Sequence, residues 1–178
     1  MTRKSIIFLF LSLLMLSVSS CLKDNEATDF SEWRKENEAY LANAEIETIN
    51  GSLRYEKIVP EWDKSVYSLI QWHNDRSQSQ SNLSPISNST VDIKYTLTNI
   101  SGDTLDRSSY LRCRPNNMIT GFWLTLTNMV PGDTVTAIIP YTAGYGASGS
   151  GSVKPYSTLI FGVRLDSIVA YESLPWRQ

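Results

Sequence analysis

Polar and apolar side chains alternate most cleanly in Thr90 to Thr98. Val91, Ile93, Tyr95 and Leu97 fall on one side and Asp92, Lys94, Thr96 and Thr98 on the other, which predicts a half-buried antiparallel strand. Thr134 to Ile139 and Thr158 to Val169 supply two more strands, and in the second Leu159, Phe161, Val163 and Leu165 share a face. Ser52 to Val59 and Val66 to His73 are further strand candidates, ending before Asn74-Asp75. Two stretches switch to the helical period. Phe30, Trp33, Tyr40, Leu41 and Ala44 recur at helical intervals behind Asp29 and Glu32, whose spacing is that of a capping box, so an amphipathic helix is expected over 29–44. Ile119, Phe122 or Trp123, Leu126 and Met129 mark one face of a short helix that Pro131-Gly132 stops. Ser101-Gly102-Asp103 is a turn, and 76–89, rich in Ser, Gln and Asn with Pro85 inside, reads as a mobile loop. The segment Ser108 to Asn117 reads as short and irregular. Strands before and after one short central helix predict an α+β fold.

The first residues have a different character. Arg3 and Lys4 precede an apolar run from Ile6 to Leu16 that only Ser12 interrupts, and Val18-Ser-Ser-Cys21 follows. The run is too short for a comfortable transmembrane helix and fits an export signal. Small residues before a cysteine resemble a bacterial lipobox, which implies that 1–20 is removed and that Cys21 carries the acyl chains of a membrane anchor. Lys23-Asp-Asn-Glu26 resembles the charged export signal of surface lipoproteins in Bacteroidetes, and Leu22 is not the Asp that favours inner-membrane retention. The expectation is a cell-envelope protein anchored in the outer membrane, in either leaflet. Residues 21–50 would be tether and helix, and 51–178 the folded domain, with its core in 90–170.

Charge and cysteines exclude several classes. The formal net charge of −2 becomes −4 once Arg3 and Lys4 leave with the signal, and with no basic stripe this argues against a nucleic-acid partner. A lipidated Cys21 leaves Cys113 alone, a small buried apolar residue rather than a nucleophile. The single His73 has no ligand neighbours at metal-binding spacing and reads as a surface or strand-edge residue. Gly144-Tyr-Gly-Ala-Ser-Gly149 matches a dinucleotide fingerprint in letters only, because no helix follows to meet a pyrophosphate.

Three pieces in order carry a family resemblance. They are Met118-Ile-Thr-Gly-Phe-Trp-Leu-Thr-Leu-Thr-Asn-Met-Val-Pro-Gly-Asp133, then Ile139-Pro-Tyr-Thr-Ala-Gly-Tyr-Gly146, then Pro155-Tyr-Ser-Thr-Leu-Ile-Phe-Gly-Val-Arg-Leu165. Together with Thr90 to Thr98 they resemble an FK506-binding-protein (FKBP) domain. The resemblance implies a curved antiparallel sheet wrapped around one short helix, with an N-terminal helical extension and a ligand pocket between sheet and helix. It implies peptidyl-prolyl cis-trans isomerase activity on proline-containing polypeptides, with no cofactor and no metal.

Carried over by position, the catalytic residues would be Tyr95, Asp106, Phe122, Tyr145 and Phe161. Leu105, Met118, Ile119 and Val153 would contact substrate. The Ile119 backbone N–H and the Tyr145 hydroxyl would bind ligand carbonyls, and Tyr95 and Asp106 would shape the polar edge. The sequence departs from the family pattern in three places. Phe122 stands where Trp is usual, Leu105 replaces an aromatic, and the aromatic expected ahead of the helix falls near Cys113 or is absent. Lys154 also stands where a proline or apolar residue is common. Two functions fit: an isomerase assisting the folding of exported proteins, or an FKBP-fold binding or chaperone module with little or no catalysis. Oligomeric state is open.

Overall fold

The computed structural model describes residues 29–78 and 83–172. The signal, Cys21 and Lys23–Glu26 lie outside the described residues. The elements are α1 (Ser31–Ile46), β1 (Thr48–Ile49), β2 (Ser52–Leu53), β3 (Glu56–Ile58), β4 (Ser68–Trp72), β5 (Thr90–Thr98), β6 (Thr104–Cys113), α2 (Thr120–Asn128), β7 (Thr134–Ile139) and β8 (Leu159–Ala170). Six strands form one fully antiparallel sheet in the order β3-β4-β7-β8-β5-β6. The fold is the expected α+β arrangement, an antiparallel sheet with α2 packed against one face and an N-terminal helix added.

That face buries the side chains the alternation pointed to. Val91, Ile93 and Leu97 of β5 and Leu159, Phe161, Val163 and Leu165 of β8 meet Phe122, Leu124 and Leu126 of α2 in one cluster. Burying each such side chain is worth about 1.5–3 kcal/mol. Helix and sheet approach so closely at Gly121 that a Cβ there would sit 2.3 Å from Ile139 Cγ2. A buried hydroxyl pair, Ser68 Oγ and Thr125 Oγ1 at 2.9 Å, fixes α2 against β4.

The opposite face is covered over β4, β7 and β8. Leu69 and Ile138 point away from α2 and pack with Tyr55, and with Tyr40, Leu41 and Ala44 of α1. This is why Ser68, Leu69 and Ile70 in β4, and Ala137, Ile138 and Ile139 in β7, are buried in succession. The α1 stripe was predicted, with one surprise: between Trp33 and Tyr40 the buried position is a polar residue, Asn37.

Three local expectations need correction. Helix α1 starts at Ser31, and Asp29 makes no capping box. Its carboxylate accepts from the Ser31 N–H and hydroxyl at 2.9 and 3.0 Å, while Phe30 takes the cap position. The strand expected over Ser52 to Val59 is two pieces. Asn50-Gly51, at φ 52° and 81°, turns β1 into β2, and the buried Tyr55 ends that hairpin before β3 joins the main sheet. The segment 108–117 is not irregular throughout. Residues up to Cys113 belong to the ten-residue strand β6, whose pairing with β5 slips twice, between Ile93 and Tyr95 and between Leu97 and Thr98. At each slip β6 spends one residue more than β5, a β-bulge that resets the alternation. Its half-buried positions therefore fall irregularly, at Leu105, Ser108, Leu111 and Cys113.

Asp92 ties the last three strands of the sheet together. Arg112 donates to it twice, at 2.8 and 2.9 Å, with Tyr110 Oη at 3.1 Å and Ser167 Oγ at 3.3 Å. Chiefly through the Arg112 hydrogen bonds, its carboxyl titrates at about 2. A carboxyl depressed on folding adds stability above its unfolded value of 3.8 and loses it as pH falls through its folded value. The stability gap between wild type and Asp92→Asn should therefore be constant at neutral pH and close between about pH 4 and pH 2, as read by urea denaturation across that range. In the core, Gly121→Ala should cost about 1–3 kcal/mol in the same assay, because the buried, β-branched Ile139 must move to admit a methyl group.

Candidate functional site

Between the start of α2 and the strands β5, β6 and β8 lies a partly enclosed cavity of about 200 Å³. Its walls are aromatic. The rings of Phe122 and Phe161 lie 4.6 Å apart, and Tyr95 meets them at 6.2 and 6.1 Å, edge-on to Phe122 and tilted to Phe161. Phe122 enters from the first turn of α2 and Phe161 from the inward face of β8. Met118 and Ile119 line the approach to α2, and Tyr145 comes from the rim loop between β7 and β8.

The polar groups gather at the mouth. The Tyr95 hydroxyl donates to Asp106 Oδ2 at 2.6 Å across the β5–β6 pair. Burial first, and the Asp106 carboxylate second, push the Tyr95 hydroxyl up to about 12. Tyr95 thus stays protonated and its proton is committed to Asp106, so the pair shapes the rim without supplying acid or base. Two donors at the cavity have no partner among the described residues: the Ile119 N–H, which precedes the first helical hydrogen bond, and the Tyr145 hydroxyl. Tyr145 is 38 % exposed.

Seven of the nine side chains expected at the site line this cavity: Tyr95, Asp106, Phe122, Tyr145, Phe161, Met118 and Ile119. Leu105 and Val153 lie outside the lining. Leu105 sits at a β6 bulge and packs toward the core, while its carbonyl accepts from Ser152 Oγ of the rim loop at 3.3 Å. Val153 is buried under that loop, where its backbone pairs with Ser150. Three lining residues were not anticipated: Leu97, Leu111 and Asn117. Leu97 shares the Tyr95 face of β5 and could have been found by counting two residues on. Leu111 lies in β6, whose bulges hid its period, and Asn117 in the short 3-10 turn Pro115–Asn117 that follows it.

The choice between Phe122 and Trp123 also resolves. Phe122 is buried in the wall, and Trp123 turns away to donate its Nε1–H to Ser87 Oγ at 3.0 Å. Cys113 is half-buried behind the site, and burial raises its thiol to about 11, so it is no nucleophile at neutral pH. A larger groove of about 870 Å³ runs over the outer face of β7, β8, β5 and β6, where Gly162 leaves a dip among Lys94, Arg107, Arg164 and His73. It is open and lined mostly by polar residues, with no convergent aromatic wall. Among the described residues no cluster of three or more metal-ligating side chains occurs.

The family model for the FKBP-type peptidyl-prolyl cis-trans isomerase matches residues 82–166, the stretch that builds this cavity. Over that stretch the chain is similar to that family. It is 29% identical over 141 residues to the peptidyl-prolyl cis-trans isomerase FKBP15-3 of Arabidopsis thaliana, covering 76% of this chain and 95% of that one. A shorter match, 45% identical over 56 residues, links it to the macrophage infectivity potentiator of Trypanosoma cruzi and covers 31% and 29% of the two chains. Among solved structures, a peptidyl-prolyl cis-trans isomerase from Pseudomonas syringae superposes with TM-score 0.64 at 20% identity, over 79% of this chain and 96% of that one. FkpA from Escherichia coli gives TM-score 0.65, also at 20% identity, over 94% and 73%. At that identity the structural likeness speaks for the fold.

The pairing at the mouth of this site has a direct readout. Asp106→Asn should lower the Tyr95 titration from about 12 toward the ordinary tyrosine range, followed through its ring signals by NMR, with burial keeping it above 10.

Proposed function

We propose that the protein is a lipid-anchored prolyl isomerase of the cell envelope that speeds X-Pro rotation in exported polypeptides as they fold. The observation that carries this is an aromatic-walled cavity with two donors, the Ile119 N–H and the Tyr145 hydroxyl, that have no partner among the described residues. Rotation about a peptide bond must break amide resonance, a barrier of about 18–20 kcal/mol. A twisted amide has lost conjugation and is less polar than a planar one, so a poorly hydrated wall of Phe122, Phe161 and Tyr95 favours it relative to water. Donors at the mouth hold the flanking carbonyls while the bond turns. A millionfold acceleration needs about 8 kcal/mol of such differential stabilisation, spread over several contacts. No nucleophile, metal or proton transfer enters this chemistry.

The envelope setting rests on the leader, the cysteine at position 21 and the charged residues after it. A second reading has its own support. With Phe122 where Trp is usual, and no aromatic from position 105 or from the segment ahead of α2, the wall is less aromatic than the family pattern, which suits a module that holds unfolded proline-containing chains without turning them over.

A prolyl-isomerase assay on a Leu-Pro or Phe-Pro peptide, with and without tacrolimus, separates the two. Wild type should accelerate isomerisation in a drug-sensitive way. Tyr145→Ala should lower kcat/KM about tenfold with the unfolding midpoint unchanged, since the residue is partly exposed at the rim. A folded wild type that binds the peptide without accelerating it would favour the binding module.

A further inference from the structure

Helix α1 contacts the domain in two distinct ways. Its second half, with Tyr40, Leu41 and Ala44, covers the apolar patch on the sheet. Its first half makes polar contacts, and those that leave the helix for the sheet domain run to the two ends of the rim loop that carries Tyr145. Asn37 is fully buried, and its Oδ1 accepts the Thr158 N–H at 2.7 Å, just ahead of β8. Its Nδ2 donates to the Trp33 carbonyl at 2.7 Å, and the Thr158 hydroxyl donates to the Asn37 carbonyl at 3.3 Å. Trp33 Nε1 donates to Ser157 Oγ at 3.1 Å, and Lys154 Nζ lies 4.7 Å over the Trp33 ring.

Arg34 reaches both sides of the loop at once. Its guanidinium lies 5.7 Å from the Tyr141 ring and 5.0 Å from the Tyr156 ring, and those rings meet edge-on at 5.4 Å. From this pair the path to Tyr145 is short. Gly146 N donates to the Tyr141 carbonyl at 2.9 Å, and Tyr156 N donates to the Gly146 carbonyl at 3.0 Å. Gly149 N donates to the Tyr145 carbonyl at 3.2 Å. The loop is thus pinned at Tyr141 and at 154–158, with Tyr145 between the pins. A helix needed only for cover would be served by an apolar residue at 37. A buried amide with satisfied partners instead fixes register and orientation.

We propose that the first half of α1 is a brace for the active-site rim, with Trp33, Arg34 and Asn37 as positioning residues that hold Tyr145 over the pocket. This rests on the reading of that pocket as a prolyl-isomerase site. A displacement of about 1 Å in a positioned group is enough to cost a large share of rate. The brace therefore couples a segment outside the pocket to turnover.

The test uses the full chain, with Arg34→Ala and Asn37→Ala as rim variants, Arg34→Lys as the conservative one and Leu41→Ala as the control for plain packing. Isomerase kcat/KM, amide exchange at Gly146 and Tyr156, and the urea midpoint are read for each. Arg34→Ala should lower kcat/KM about three- to tenfold and speed exchange at both amides while the midpoint holds, and Arg34→Lys should recover most of the loss. Asn37→Ala should do the same with a lower midpoint. Leu41→Ala should lower the midpoint and leave kcat/KM alone. Unchanged exchange in Arg34→Ala and Asn37→Ala would overturn the brace, and so would faster exchange with undiminished kcat/KM. If wild type itself shows no isomerase activity, the pocket reading fails, and the exchange rates alone decide whether the helix holds the rim.

Discussion

The seat of α2 in the sheet is the constraint on which the rest of this molecule depends. Gly121 lets the helix backbone approach Ile139, and the Ser68–Thr125 hydroxyl pair fixes its position along β4. With the helix so placed, Phe122 must point between β5 and β8, where it meets Tyr95 and Phe161. The cavity is the space these three rings leave unfilled. Its walls are core residues on one side and ligand surface on the other, so packing and binding are properties of the same side chains.

Such a site works without ionisable machinery. Asp106 occupies the one hydroxyl in the aromatic wall, that of Tyr95, and Cys113 is held protonated by burial. What remains at the mouth is donors: a helix-entry N–H and the Tyr145 hydroxyl. That combination suits a planar amide that must lose its conjugation and gain nothing covalent in return. The demand then shifts from chemistry to placement, and placement of Tyr145 falls to a loop whose two ends are both tied to α1, at Tyr141 and at 156–158. One helix thereby covers the second face of the sheet with one half and steadies the rim with the other.

Where one face of a strand is buried and its register is unbroken, the pattern of residues suffices to find it. Thr90 to Thr98 and Thr134 to Ile139 appear as strands with the boundaries their alternation predicts, and α2 ends before the Pro131-Gly132 that stops it. Seven of the expected site residues converge because they ride on those regular elements. The failures share a cause. In β6 two bulges reset the alternation, so a ten-residue strand carries no readable period, and Leu111 went unseen with it. Tyr55 interrupts 52–59 because its ring is drawn into a cluster made by residues distant in the chain.

By itself, then, the sequence determined the elements whose periodicity is local, the turn chemistry that ends them, and a family register that names most of the pocket. Tertiary structure decided which of two adjacent aromatics fills the wall. Phe122 faces the sheet, while Trp123, one residue on and about 100° around the helix, bonds to Ser87. It also decided the part played by Asn37. Nothing in a helical pattern marks a polar residue as buried, since its value depends on an N–H at Thr158, more than a hundred residues later in the chain. A long-range hydrogen bond has no period, and only the folded backbone brings its two ends together.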